Sequence, residues 1–573
     1  MKPWQLGNTS VRSGLRTRDA LLALAHSDAQ GRIRGPAGDV RFRNLLGEAG
    51  VVELGVDATA SVGRKFRHAL GRLGFLYPKA PPGVTQAAIG PLDTITPAGH
   101  RFIQAQSVAG QQECFLRALA GLSFDLDGQP YGECGSFSPL LHVLRVLQTL
   151  EESGDDEGFL SLTELAAYVQ TTDQTASYPA LRKRILAYRR ARSGMANKTA
   201  FDRAAIEERR TEDGNPVLFA SYYDYADMNF RYLRGTGLFT LRGRAISIAP
   251  SKRSLARQLM SSIVPALDPV VYWRHMTTGP ALPTDNLTVS KQALAELAAE
   301  AKRKNVPVPA ESLSVTSVAD AASRRHDLEE RIAVVDELEY ARRQAAEWPD
   351  IARYIGALVT GRPSRARGDD AVVVIPGGEA PAYLEWSVWR AFLAINRLAN
   401  APSKARGFDV DRDFLPVRHA PGGRPDLVFE FDDYVLVVEV TLSTSGRQEA
   451  TEGYAVRQHV FDVKRDYSKT KRKPVYGLFI APSLDPNTVK TLQRGEWHDG
   501  DSEHRVDVVP LTIGQFAALF RAMFEMDMTD NVGVRRLVDG CLASRDSHQR
   551  PAAWQAAIDE SVAGTIAELR RAG

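Results

Sequence analysis

Residues with the types and spacing to do chemistry are concentrated in one stretch. It reads Gly423-Arg424-Pro425-Asp426-Leu427, then Val428-Phe429-Glu430-Phe431, Asp432-Asp433 and Tyr434-Val435-Leu436-Val437-Val438-Glu439-Val440-Thr441. Two apolar runs flank an Asp-Asp turn, so the chain doubles back as a hairpin and brings Asp426 near the end of the second strand. The period of two along that strand sets Val435, Val437, Glu439 and Thr441 on one face. A carboxylate at the end of a run of valines is costly to ionise, and a second carboxylate beside it adds repulsion. A divalent cation removes both penalties. Hard oxygen ligands and a partly hydrated site suit Mg²⁺, which takes one or two carboxylates together with phosphate oxygens.

The elements that must hold this hairpin read as an α/β domain beginning near Ala382. A helix is predicted over Tyr383–Leu398. Strands are predicted at Leu427–Phe431, Tyr434–Leu442, Val475–Ile480 and Val506–Pro510, interleaved with helices at Ala455–Tyr467, Asn487–Arg494 and Ile513–Phe524. Such alternation builds an α/β core, and the helical remainder Asn531–Gly573 packs outside it.

Upstream, the basic amphipathic segment Arg64–Gly74 is followed by Phe75-Leu76-Tyr77, a Pro/Gly stretch, Asp93–Thr96 and a second helix over Thr96–Ile103. This is the order of a winged helix-turn-helix. A second wing is predicted from Leu238-Phe239-Thr240-Leu241, a tight turn at Arg242-Gly243-Arg244 and Ala245-Ile246-Ser247-Ile248. The helical block Ser161–Arg210 joins the two. From Ser254 to Arg367 the chain is largely helical, with Lys291–Lys304 and Ala321–Ala346 rich in Ala, Glu, Arg and Leu. The Gly-, Pro- and Arg-containing stretch Thr360–Gly378 marks a boundary.

The expected class is therefore multidomain, with a mainly α-helical N-terminal region bearing winged-helix-like subdomains, a helical linker and a C-terminal α/β domain. The expected divisions are 1–110, 111–255, 256–378 and 379–573. A chain of 573 residues is too long for one core at about 150 residues per domain.

Charge is nearly balanced, 72 Lys+Arg against 69 Asp+Glu, so its placement says more than its sum. Basic residues crowd into Arg64–Arg72, Arg182–Arg192 and Lys464–Lys473, where a polyanion could dock. Acidic residues gather at Glu151–Glu157 and Asp426–Glu439. Cys114, Cys134 and Cys541 are too few and too scattered for a disulfide framework or a paired zinc site, which implies reduced thiols. The first residues carry no apolar signal core and no run of about 18 apolar residues occurs, so a cytoplasmic protein without membrane contact is expected. No Gly-rich segment ends in Gly-Lys-Ser/Thr, which argues against an NTP-driven machine.

Pro425-Asp426 followed by Glu439-Val440-Thr441 resembles the PD-(D/E)XK nuclease core, with Thr441 where that superfamily usually has lysine. More specifically, the C-terminal region resembles the AlwI family of type IIS restriction endonucleases and nicking enzymes. The segments that carry this are Leu384-Glu385-Trp386 with Trp389, Leu415-Pro416-Val417 with His419, Arg424-Pro425-Asp426, Glu439-Val440-Thr441, Glu452 with Arg457 and His459, and Leu478-Phe479-Ile480-Ala481-Pro482. Arg231-Tyr232-Leu233-Arg234-Gly235-Thr236-Gly237-Leu238-Phe239 looks like the family's recognition region. The resemblance implies Asp426, Glu439 and Glu452 as metal ligands, with Glu385 and His459 completing the catalytic group. It also implies one or two Mg²⁺ ions, for which Mn²⁺ can substitute.

The reaction it implies is hydrolysis of the P–O3′ bond, leaving a 5′-phosphate; Glu452, His459 or a second metal ion must substitute for the missing lysine, and Glu452 is the expected substitute. DNA contacts are expected from Arg64, Lys65, Arg67, Arg72, Arg182, Lys183, Arg184, Arg231 and Arg234. The implied partners are double-stranded DNA, a second catalytic subunit or transient homodimer for two-strand cleavage, and a cognate DNA methyltransferase. The rival readings are a repair or modification-dependent nuclease of the same fold, and a DNA-binding protein with an inactive nuclease domain.

Overall fold

In the computed structural model the described residues are 1–573 apart from 1, 10, 12, 53–60, 125, 127–135, 155–156, 213–217, 262–267, 362–363, 366–371, 374, 377, 396–397, 445–447, 471–472, 528–531 and 573. Cys134, the centre of the 360–378 boundary segment and part of the basic run 464–473 lie outside them. The chain is mostly helical and divides into two units, Met1–Ala333 and Val334–Gly573. The division falls within the long helix Val318–Arg343. Among the described residues no helix is long and apolar enough to cross a membrane. Cys114 and Cys541 are free and buried.

The first unit contains one three-stranded sheet, β1 (Leu160–Ser161), β2 (Phe239–Arg242) and β3 (Ala245–Ile248), in the order β1-β3-β2 with antiparallel pairs. The earlier predicted wing shrinks to a single antiparallel bridge between Leu76 and Ile95. Proline explains this, because Pro78, Pro81 and Pro82 lack the N–H that a longer ladder needs. The following helix, Pro97–Gln104, starts where Thr96 Oγ1 accepts the Gly99 N–H (3.0 Å).

The second unit is built around a mixed four-stranded sheet: β4 (Leu427–Glu430), β5 (Val435–Val440), β6 (Val475–Ala481) and β7 (Val508–Thr512). Its order is β7-β6-β5-β4. β4 and β5 are an antiparallel hairpin, whereas β5, β6 and β7 are parallel, each parallel connection passing through a helix as such crossovers require. Val435, Leu436, Val437 and Val438 are all buried, the continuous apolar run of a strand covered on both faces.

The helix Ala380–Ala394 covers one face, where Phe392 stacks on Phe429 at 4.4 Å and lies 5.8 Å from Phe516 of the helix Ile513–Glu525. The helix Tyr454–Thr470 covers the other, and Val460 reaches Gly477 so closely that a β-carbon there would sit 2.8 Å from it. The Ala380–Ala394 helix is anchored by its tryptophans and by one arginine. Trp386 Nε1–H donates to Phe414 O (2.6 Å) and Trp389 Nε1–H to Pro402 O (3.2 Å). Buried Arg390 donates to Gln344, Glu347 and Asp350 and lies over the Trp386 ring at 4.6 Å.

Candidate active site

The β4–β5 hairpin sets the site. Its register pairs Leu427 with Val438 and Glu430 with Val435, and Phe431 N–H donates to Tyr434 O (2.9 Å), leaving Asp432-Asp433 as the two-residue turn. Extended one step beyond Leu427, the same register sets Asp426 opposite Glu439, and directly opposed residues share a face. The side chains meet there. The Val440 N–H donates to Asp426 Oδ2 (2.9 Å), and the Asp426 and Glu439 carboxyls lie within hydrogen-bonding reach of each other.

Two further carboxylates converge on this pair from the elements on either side of the sheet. Glu385, in the middle of the Ala380–Ala394 helix, is buried and accepts the Ala420 N–H at Oε2 (2.7 Å). Glu452 lies on a π-turn, Glu449–Gly453, that leads into the helix Tyr454–Thr470, and it accepts the Thr441 hydroxyl at Oε1 (3.0 Å). The Thr441 oxygen in turn accepts the Ser443 N–H (3.1 Å), which directs its one proton to Glu452. His459, on the same helix, places Nδ1 2.8 Å from Glu439 Oε1.

Electrostatics follow from this crowding. Burial, then the charge of Glu439, holds the Asp426 carboxyl well above the usual carboxylate range. Burial and then the charge of Asp426 do the same to Glu385. Glu439 is raised by burial and by Glu452, and Glu452 by burial against the opposing hydrogen bond from Thr441. Burial lowers His459, whose Nδ1 faces Glu439. Such mutual destabilisation of the charged forms, with oxygen donors and partial solvent access, is the environment that a hard divalent cation relieves. Among the described residues no group of three or more Asp, Glu, His or Cys side chains is placed to hold a metal ion between them.

All five residues expected to do chemistry thus gather around one hairpin end. Two contacts carry no sequence signal: the Ala420 amide that holds Glu385 comes just after the short strand Pro416–Arg418, and Glu452, the partner of Thr441, lies on the π-turn. Glu452 and His459 have separate partners, Thr441 and Glu439.

The residues expected to touch DNA divide into outward and inward groups. On the helix Ser61–Arg72, Arg64 is exposed and Lys65 half-buried. Arg67 and Arg72 turn inward: Arg67 donates to Ile33 O and Asp39, and Arg72 donates to Gln5 O and lies over the Phe124 ring at 4.5 Å. Arg231 pairs with Asp227 (3.1 Å) and Arg234 is buried, because the helix Phe219–Gly235 sits inside the unit. On the helix Tyr178–Ser193, Lys183 is exposed, Arg182 reaches Glu152 (3.3 Å) and Arg184 reaches Glu212 (3.0 Å).

No curated protein matches the chain. Among solved structures it is similar to the small subunit, R.BspD6I2, of the heterodimeric restriction endonuclease R.BspD6I, with 20% identity and a TM-score of 0.29. That similarity covers 37% of this chain and 98% of the other. The family model of the AlwI restriction endonuclease matches residues 71–519, which takes in the second hairpin of the first unit and every residue of the acidic cluster. With the greater part of its length matched, the chain belongs to the AlwI restriction endonuclease family.

Proposed function

We propose that the chain is a sequence-specific, type IIS-like DNA endonuclease whose first unit recognises a short asymmetric site and whose second unit hydrolyses a phosphodiester bond at an offset from it. Family membership makes the substrate DNA and the chain a deoxyribonuclease. The observation that carries the chemical part of the reading is the opposition of Asp426 and Glu439 on one face of the β4–β5 hairpin, with both carboxyls raised by burial and by neighbouring charge.

Asp426 and Glu439 are the residues that would hold Mg²⁺, with Glu385 beside Asp426. The chemistry supplied by Mg²⁺ bound there is activation of a water and neutralisation of the charge that builds at the scissile phosphate. The chain's own groups do the rest. Glu452, one oxygen held by Thr441, uses its other oxygen to orient the attacking water and accept its proton, the task left by the missing lysine. His459 fixes the orientation of Glu439 through Nδ1. In-line attack breaks the P–O3′ bond and leaves the 5′-phosphate.

One such centre cuts one strand. Two-strand cleavage therefore requires a second catalytic centre, from another subunit or a second copy, and without one the product is a nick. A cognate methyltransferase would protect the host site. The test is incubation of the purified protein with supercoiled plasmid, with and without Mg²⁺, followed by sequencing of the ends. A constant distance from one motif and 5′-phosphate ends are expected; scattered ends or metal-independent cleavage would refute the reading.

A further inference from the structure

In the first unit, two elements distant in sequence are joined through one aromatic ring. The Arg189 guanidinium lies 3.7 Å from the Phe159 ring centroid and that of Arg242 lies 5.6 Å from the same centroid. Arg189 belongs to the helix Tyr178–Ser193, and Arg242 ends strand β2 at the tip of the β2–β3 hairpin. Arg189 is immobilised by Glu157 and Glu164 and by the Phe159 carbonyl, so the helix is fixed against the segment that enters β1.

The helix follows β1, a short helical turn over Leu162–Val169 and a connecting turn, which is the order of a helix-turn-helix attached to a sheet whose other two strands form a wing. Leu181, Ile185 and Tyr188 bury its inner face. Its outer face presents Ala180, Lys183, Ala187 and Arg190, all exposed, at helical spacing. Short side chains let a backbone approach another surface closely while Lys and Arg reach acceptors beyond it. At the hairpin tip the register pairs Arg242 with Ala245, so the turn is Gly243-Arg244. Gly243 adopts φ 63°, with no atom within 4 Å of where a β-carbon would stand. Arg242, Gly243 and Arg244 are all exposed.

We propose that these two elements form one duplex-DNA reading surface, in which the Lys183/Arg190 face enters the major groove and the Arg242-Gly243-Arg244 tip enters an adjacent minor groove. The proposal rests on the first unit's role as the recognition unit. A helix about 10–12 Å across matches the major groove at about 12 Å. A two-residue tip with a glycine is slim enough for the minor groove at about 6 Å, where arginine is favoured over narrow A·T tracts.

The test uses the full chain in EDTA. Duplexes that it enriches from a random pool give the bound sequence without any need for cleavage. Affinity for that duplex is then measured for wild type, K183A/R190A and R242A/R244A, with melting temperatures as the folding control. K183A/R190A should bind at least tenfold more weakly. Replacing adenines beside the core site by 2,6-diaminopurine adds an amino group only in the minor groove; it should weaken wild type severalfold and leave R242A/R244A unaffected.

Wild-type affinity in either double variant, an equal effect of diaminopurine on wild type and R242A/R244A, or no enriched sequence at all would overturn the proposal. An enriched sequence together with no Mg²⁺-dependent cleavage would refute the hydrolytic reading and leave this one standing.

Discussion

Replacing Asp426 by Asn should abolish cleavage and yet raise the stability of the metal-free protein. Glu385, Asp426, Glu439 and Glu452 all sit above the ordinary carboxylate range, with burial as the largest cause in each. A carboxyl whose pKa is raised on folding contributes stability that is fully present below its unfolded value near 4 and is lost as pH rises through its folded value. In EDTA, then, the wild-type protein should be more stable at pH 5.5 than at pH 8, and the loss should be concentrated in the second unit.

D426N removes one ionising group and one source of repulsion on Glu385, while its amide oxygen can still accept the Val440 N–H. Each pKa unit so relieved is about 1.4 kcal/mol. For a unit spanning Val334–Gly573, 1 kcal/mol corresponds to about 2–4 °C in Tm. Mg²⁺ should act in the opposite sense, raising the wild-type Tm by mass action, about 2.7 kcal/mol at a hundredfold excess over Kd, and barely moving D426N. Differential scanning calorimetry at pH 5.5 and 8, in EDTA and in Mg²⁺, reads all four conditions. A D426N protein that melts below wild type at pH 8 in EDTA, or that gains as much from Mg²⁺, would refute the reasoning.

Three further outcomes are expected. E452Q should lower single-turnover cleavage by about 10²–10⁴-fold with DNA affinity unchanged, and T441V should share part of that loss while T441S, which keeps the hydroxyl, recovers it; gel-based cleavage time courses measure both. H459A should weaken Mg²⁺ dependence or rate by about 10–100-fold by freeing Glu439, seen as a shifted Mg²⁺ titration of cleavage. R390A should destabilise the second unit by about 2–3 kcal/mol in urea unfolding, a figure kept below that of a fully buried ion pair because Glu347 and Asp350 remain partly in solvent.

The acidic hairpin is readable in sequence because a strict period of two, an Asp-Asp turn and flanking β-branched residues all agree on one geometry. Leu427–Glu430 and Val435–Val440 fall within the strands expected there. The orientation of Glu385 carries no mark in the sequence, since an acid beside two tryptophans on a helix also fits a solvated face; the Ala420 amide is what meets it on the buried side. Glu452 and His459 stand seven residues apart, a spacing that a regular helix would set on one face. The π-turn at Glu449–Gly453 shifts the phase and sends them to different partners. Arg67 and Arg72 show the limit of reading charge runs. Their acceptors, the carbonyls of Ile33 and Gln5, are backbone atoms brought in by tertiary folding and carry no mark in the sequence.

The pairing of Phe431 with Tyr434, through a backbone hydrogen bond and rings stacked at 4.7 Å, closes the Asp432-Asp433 turn with no slack. The acidic pair is therefore encoded by chain length as much as by residue identity. Asp432 and Asp433 can be exchanged for other turn formers without moving anything downstream. One inserted or deleted residue that shifted β5 along β4 would carry Glu439 to the opposite side of the sheet and leave Asp426 facing a valine. A single-codon insertion in this turn is thus the smallest genetic lesion expected to part the two carboxyls with every acidic residue still present.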